Sequence, residues 1–492
     1  MNLDRLRAVA IALLAAAGVS AQTSQPPIAR FIDAASPDSK LAKAALEEIA
    51  ASWTDAYVPM FVDIVRLTRP SARSPAAQED TAPLDADEGD FGAVRAERRF
   101  PAVPDAGSPV RRRLLAFLAD RTGQPFGDDL GRWREWMWTL PAAPHPDYAA
   151  FKGLVYGQID SRMRSFFPSG VRSTIRLDEI DWGGVPVNGI PPLRYPTVLR
   201  AQEAGYLKDS NIVFGVVLNG EARAYPKRIL AWHEMATDRI GGVEMTIVYC
   251  TLCGTVIPFE SLVSGRPLRF GTSGLLYRSN KLMFDEQTAS LWSTFEGVPV
   301  VGPLVGSGVA LRMHPVVTTT WEEWRIAHPD TTVLSLNTGF RRDYSEGAAY
   351  RDYFASDRLM FRVSRTDGRL RNKAEVLVMR LTAPGGASEQ VPVAIDAQFL
   401  RRHPVYSFTA AGQQLVVVTT DRGANRVYAG GVDFPQQKTS ATLVDAGGGT
   451  WRMTEGALVS ERDPGFQLPR LAAQRAFWFG WYAQYPNTLL IK

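Results

Sequence analysis

The chain has 492 residues, 45% hydrophobic and 22% charged, with a formal net charge of +4. That balance fits a globular protein of about two or three domains. Basic residues are scattered, with only short clusters such as Arg111-Arg112-Arg113 and Arg401-Arg402, a solvated-surface pattern that argues against a nucleic-acid-binding stripe.

Met1 to Gln22 has an early basic pair (Arg5, Arg7), an apolar stretch from Ala8 to Val19, and a close on Val19-Ser20-Ala21. This reads as a secretory signal peptide over residues 1–21, too short to cross a bilayer, and predicts a periplasmic or secreted protein. With no cysteine near the cleavage site and no twin-arginine pair, the general export route is expected. No later segment is apolar enough to span a membrane, so the mature chain is expected to carry no transmembrane segment.

Residues 36–165 read as a helical segment. Ser39 is the expected N-cap of a helix carrying Leu41, Ala44, Ala45, Glu48 and Ile49, and a second helix carries Val58, Phe61, Val62 and Val65. Residues 69–109 are rich in Pro, Ala, Ser, Asp and Glu and read as a flexible linker. Helices resume over Arg112–Arg121 and again from Asp128 or Asp129, through Trp133, Trp136, Met137 and Trp138. The helix pair with Leu118 to Gly127 resembles HEAT-like helical-repeat modules. That resemblance implies a surface for a protein partner; the alternative is a helical cap on the main domain.

From about Trp182 short strands and turns take over. Val216-Val217-Leu218 and Ala222-Arg223-Ala224-Tyr225 flank Asn219-Gly220, a two-residue hairpin signal. Val243 to Tyr249 alternates, which predicts a strand with one buried face and sets Cys250 at its end. Trp324-Arg325-Ile326-Ala327-His328-Pro329-Asp330-Thr331 matches Trp481-Tyr482-Ala483-Gln484-Tyr485-Pro486-Asn487-Thr488. In the same order Asp285, Trp292 and Gly297 match Asp445, Trp451 and Gly456. Gly242 to Tyr249 matches Gly412 to Val418, and Tyr225-Pro226 is paired with Val391-Pro392. These matches predict an internal duplication, with β-rich units at 180–336 and 370–492. In that alignment Cys250-Thr251-Leu252-Cys253-Gly254 faces Thr419-Thr420-Asp421-Arg422-Gly423, and His233-Glu234 has no partner. Chemistry is therefore expected in the first unit, with the second as scaffold. The predicted fold class is α+β: an N-terminal helical segment followed by a duplicated, mainly antiparallel β region.

The chain's two cysteines both lie in Tyr249-Cys250-Thr251-Leu252-Cys253-Gly254. With Leu230-Ala231-Trp232-His233-Glu234, Phe270-Gly271-Thr272-Ser273-Gly274-Leu275-Leu276-Tyr277 and Phe284-Asp285-Glu286-Gln287-Thr288-Ala289-Ser290-Leu291-Trp292-Ser293, this box resembles the mostly exported prokaryotic domain of unknown function numbered three-one-seven-nine, over about residues 180–490. Thr251 and Thr237 stand where that family's pattern implies Pro and Asn. The resemblance implies no activity.

Three readings of the box stand. His233, Cys250 and Cys253 form a ligand set suited to zinc or copper, with Glu234 as a fourth ligand or base. Alternatively the two thiols are a redox pair, because Cys-x-x-Cys permits reversible pairing at lowered thiol pKa. Or they form a structural disulfide, whose short loop contributes only about 2 kcal/mol of unfolded-state entropy. Gly271-Thr272-Ser273-Gly274 fails as a nucleophile elbow, because its second glycine comes one residue early. Haem attachment is excluded by Gly254 where a histidine is needed. The expected site is thus Cys250, Cys253, Glu234 and Asp285 for catalysis, and His233, Cys250 and Cys253 for metal. A metal- or thiol-dependent oxidoreductase is the leading class; a non-catalytic metal carrier or partner-binding module is the alternative.

Overall fold

The computed structural model describes residues 25–67, 109–141, 144–263, 265–383 and 390–492. The signal-peptide reading of residues 1–21 and nearly all of the linker reading of 69–109 lie outside the described residues. Among the described residues no helix is long and apolar enough to cross a membrane.

The N-terminal segment supplies helices Ile28–Ala34, Ser39–Ala51, Val58–Leu67, Pro109–Thr122, Leu130–Met137 and Tyr148–Tyr156. Asp38, rather than Ser39, caps the second of these: its carboxylate accepts from the N–H groups of Lys40 and Leu41. That helix buries Ala42, Ala45, Leu46 and Ile49, one face at three- and four-residue spacing. The helices do not form a core of their own. Phe61, Trp133 and Phe151 share one apolar cluster with Ile180, Trp182, Leu275, Leu282 and Val300 from the adjoining sheet. Asp181, in the Ile180–Trp182 strand, also holds Arg66 at 3.3 Å and Arg134 at 2.5 Å. The helical segment therefore packs as a cap on the β region.

The β region is built twice on one plan. In the first unit Val317–Thr320, Ile212–Leu218, Glu221–Pro226 and Thr332–Leu334 lie side by side, the first two pairings antiparallel and the last parallel. In the second, Gln474–Phe477, Glu375–Thr382, Gln390–Asp396 and Leu489–Ile491 repeat that order and those directions. A short helix follows the third of these strands in each, Lys227–His233 after Glu221–Pro226 and Ala397–Arg402 after Gln390–Asp396. Then come two antiparallel triplets: Met235–Ile240, Val243–Cys250 and Thr255–Glu260, and Val405–Ala410, Gln413–Thr419 and Asn425–Ala429. The expected Asn219-Gly220 turn forms, with φ of 49° and 83°, as a two-residue hairpin requires.

Side-chain bonds recur with the plan. Trp324 Nε1 donates to Thr331 Oγ1 at 2.8 Å, and Trp481 Nε1 to Thr488 Oγ1 at 2.9 Å. Trp292 Nε1 donates to Asp285 Oδ2 at 2.8 Å, and Trp451 Nε1 to Asp445 Oδ2 at 2.7 Å.

Strand register corrects three details of the sequence alignment. Val213 pairs with Pro226 and Val376 with Asp396, so Asp396, not Pro392, is the counterpart of Pro226. Met235 pairs with Val248 and Val405 with Val418, so Cys250 corresponds to Thr420 rather than Thr419, and the following turn is one residue shorter in the second unit. The same register pairs His233 with His403 and Glu234 with Pro404. The carbonyls of Glu234 and Pro404 accept from the N–H groups of Tyr249 and Thr419 at 2.8 and 2.7 Å. The histidine thus has a partner after all. The expectation of one buried face also changes: Met245 through Cys250 are all buried, because elements cover both faces of this sheet.

Candidate functional site

Cys250 ends the Val243–Cys250 strand, and the Cys253 N–H donates to the Cys250 carbonyl at 3.2 Å, closing a tight turn. Gly254 follows at φ 63°, a left-handed position that suits glycine. Both cysteines are free thiols, Cys250 3% exposed and Cys253 fully buried. The Thr251 hydroxyl, also buried, has no hydrogen-bond partner among the described residues.

Three further pieces of chain close around the turn. One is the hairpin turn Arg278-Ser279, between Phe270–Tyr277 and Asn280–Asp285. Cys253 Sγ donates to the Ser279 carbonyl at 3.4 Å. Another is Tyr350 to Tyr353, where Tyr353 Oη donates to the Leu252 carbonyl at 2.7 Å. The third comes from the second unit. The Phe477 N–H donates to the Cys253 carbonyl at 2.7 Å, and a Cβ on Gly480 would stand 3.2 Å from Cys253 Sγ. That is tighter than ordinary contact, so the glycine lets the Trp478–Gln484 helix lie close over the thiol.

Glu234 and Lys281 complete the site. Glu234 ends the Lys227–His233 helix at φ 55°. Lys281, 5% exposed, donates to the Glu234 carbonyl at 2.9 Å and lies 3.4 Å from its carboxylate. Tyr350 Oη donates to the other carboxylate oxygen at 3.4 Å. Four non-glycine residues at positive φ, Glu234, Arg278, Ser279 and Tyr350, therefore surround the dithiol. Such conformations cost about 1–3 kcal/mol each and persist where the surroundings over-determine them, as at functional sites.

The two thiols differ in acid strength. Burial opposes ionisation of Cys250, but bonds from the Cys253 thiol and from the Lys281 and Cys253 N–H groups outweigh it, holding Cys250 below its ordinary value. Glu234 pushes the other way. Burial and the neighbouring Cys250 raise Cys253 well above its ordinary value. Burial likewise lowers Lys281, although Glu234 and Cys250 favour its charge.

The other expected site residues are engaged elsewhere. His233 Nδ1 lies 2.8 Å from the Pro191 carbonyl and Nε2 lies 2.5 Å from Tyr344 Oη, so both ring nitrogens have protein partners. Among the described residues no group of three or more His, Cys, Asp or Glu side chains is placed to hold a metal ion. The ligand set His233, Cys250 and Cys253 therefore has no geometric support. Asp285 is fully buried and accepts from Trp292 Nε1, the Thr288 N–H and Thr288 Oγ1. Ser273 Oγ donates to the Leu282 carbonyl at 2.6 Å.

Sequence reasoning missed Lys281, Tyr350 and Tyr353. Lys281 left one signal, a lysine directly before the apolar run Leu282-Met283-Phe284. A solvent-open cleft reaches the site, lined by Val185, Ile190, Leu276, Met360 and Phe361 together with Leu252, Glu234, Lys281 and Tyr350.

An α+β protein with a twofold β plan and one buried, asymmetric dithiol in its first unit is the class that fold and site define. The chain belongs to the family described as protein of unknown function, DUF3179, whose profile matches residues 187–488. Nothing among the curated proteins or the solved structures matches it.

Proposed function

We propose that this protein performs thiol–disulfide exchange, with Cys250 as the attacking thiol and Cys253 as the resolving thiol. The observation that carries this reading is the pairing of two free cysteines in one turn with opposite acid strengths. The thiolate is the nucleophile, so the thiol held below its ordinary value attacks first. Cys253, raised by burial and by its bond to Cys250, keeps its proton until a mixed disulfide forms on Cys250. Export by the leader read in Met1 to Gln22 would place this pair in an oxidising compartment, where disulfides persist. A metal carrier is the less favoured class, because His233 is taken up by Pro191 and Tyr344.

The test is a redox titration followed by mass spectrometry of the intact protein. A reversible two-electron transition that links Cys250 to Cys253 is expected. Cys250→Ser should abolish reaction with an external disulfide, whereas Cys253→Ser should trap a mixed disulfide on Cys250. Trapping on neither variant would end the proposal.

A further inference from the structure

We infer that the cleft over Leu252 is the substrate site of this dithiol and that it takes a small, neutral, mainly apolar disulfide, excluding anionic disulfides and folded-protein disulfides. The inference rests on the thiol–disulfide reading and names its substrate class.

The first argument is burial. Cys250 is 3% exposed and Cys253 is not exposed at all, so no flat partner surface can bring a sulfur onto either. Exchange requires in-contact attack by one sulfur on another, through a mixed disulfide. The cleft reaches the neighbours of the pair: its lining includes Leu252, which stands between the two cysteines in sequence, and Lys281, whose N–H bonds Cys250. A substrate held there lies against both of these neighbours of Cys250. The opposite approach is closed by Phe477 and Gly480 of the second unit and by Tyr353.

The second argument is the lining. Most lining side chains are apolar, among them Val185, Ile190, Leu276, Met360 and Phe361, and the hydroxyls of Thr272 and Ser273 are taken up by the Ile190 and Leu282 carbonyls. Sites of this kind bind apolar bodies and use a few polar groups for orientation. The polar groups at the floor are the Glu234 carboxylate, the Lys281 ammonium and the Tyr350 hydroxyl. Lys281 is spent on Glu234, through the carbonyl at 2.9 Å and the carboxylate at 3.4 Å. Once Cys250 is a thiolate, the floor carries two negative charges against one positive. An anion brought to that floor meets net repulsion in a poorly hydrated place, where charges interact more strongly than in water.

The reaction balances with the disulfide as oxidant. The Cys250 thiolate attacks one sulfur of the substrate; the substrate S–S bond breaks and one thiolate leaves with its electron pair. Cys253 then loses its proton, its sulfur attacks Cys250 Sγ, and the second substrate thiol leaves. Two protein thiols are oxidised, one disulfide is reduced, and two small thiols are released.

The experiment mixes fully reduced protein with three probes at one pH and follows formation of the 250–253 bond. The probes are the neutral aromatic 4,4′-dithiodipyridine, the dianionic 5,5′-dithiobis(2-nitrobenzoate) and a folded disulfide-bonded protein. Each rate is divided by that of the same probe with the urea-unfolded chain, which removes intrinsic reactivity. The neutral probe is expected to exceed the dianion by about tenfold or more, the factor given by 1.4 kcal/mol. Met360→Trp, at a partly exposed position of the cleft wall, should slow the neutral probe while leaving the melting temperature unchanged. Equal normalised rates for neutral and dianionic probes, a folded protein as the fastest partner, or an unaffected Met360→Trp would each overturn the assignment. Failure of every probe to form the 250–253 bond in the folded protein, with normal reaction when unfolded, would overturn the exchange reading itself.

Discussion

His233 has a titration that reports its environment. Burial first, and Arg342 to a lesser degree, lower it from 6.5 to about 4, while the Pro191 carbonyl opposes the shift. Between those two values the unfolded chain binds a proton that the folded chain refuses, so stability falls as pH drops from about 6.5 toward about 4. A shift of this size corresponds to roughly 3 kcal/mol. Unfolding measured across that window should show wild type losing about that much more stability than His233→Gln, which has no imidazole to protonate. Parallel curves would show that the ring is not held neutral. Asp285 makes a second case. Three donors converge on its buried carboxylate, and removing a buried partner leaves each donor unsatisfied at about 1–3 kcal/mol. Asp285→Ala should therefore lower stability by about 3 kcal/mol or more and leave the alkylation rate of Cys250 in the folded protein unchanged. A selective loss of Cys250 reactivity at unchanged stability would give Asp285 a chemical role instead.

At the scale of elements, local chemistry was legible where it depends on neighbours in sequence. The Asn219-Gly220 hairpin, the place of Cys250 at a strand end and the Trp-to-Thr spacing of the two terminal helices all follow from turn propensity, alternation and identity. The partner of His233 was not legible, since the helices around it share little identity and only strand register sets His403 opposite it. Lys281, Tyr350 and Tyr353 reach the dithiol across 28 to 103 residues of sequence, and no local pattern announces such approaches. The equivalence of the two units can be tested through their shared bonds. Thr331→Val and Thr488→Val each remove the acceptor of a buried indole N–H at nearly the same distance, 2.8 and 2.9 Å. Each should cost about 1–3 kcal/mol, equal within the scatter of such measurements. Denaturant midpoints of the two variants that differ by more than that range would show the helices to be alike in sequence only.

Across the whole molecule the dithiol depends on how the two units are held together. One apolar core contains Trp232, Tyr249 and Cys253 from the first unit and Val376, Ala476, Trp478 and Trp481 from the second. Beside it lies a buried charged clamp. Glu455 pairs with Arg426 at 2.5 Å and with Arg470, and His328 of the first unit lies 3.5 Å from the same carboxylate. Arg470 also donates to the Val316 carbonyl at 3.2 Å, crossing the junction. Burial opposes the Glu455 charge, but Arg426, with help from His328 and Arg470, holds its carboxyl far below the usual carboxylate range. Glu455→Gln keeps the shape and removes the charge, leaving two buried guanidinium groups undercompensated at about 3–5 kcal/mol. Because Phe477 and Gly480 of the second unit lie against Cys253, weakening the junction should also open the thiol. Alkylation of Cys253 by a bulky maleimide should accelerate in step with the lost stability, about tenfold for each 1.4 kcal/mol when opening is the limiting equilibrium. The exposed control Glu461→Gln should change neither quantity. A Glu455→Gln protein that is destabilised yet shields Cys253 as well as wild type would mean that the thiol opens through the cleft over Leu252, independently of the junction between the units.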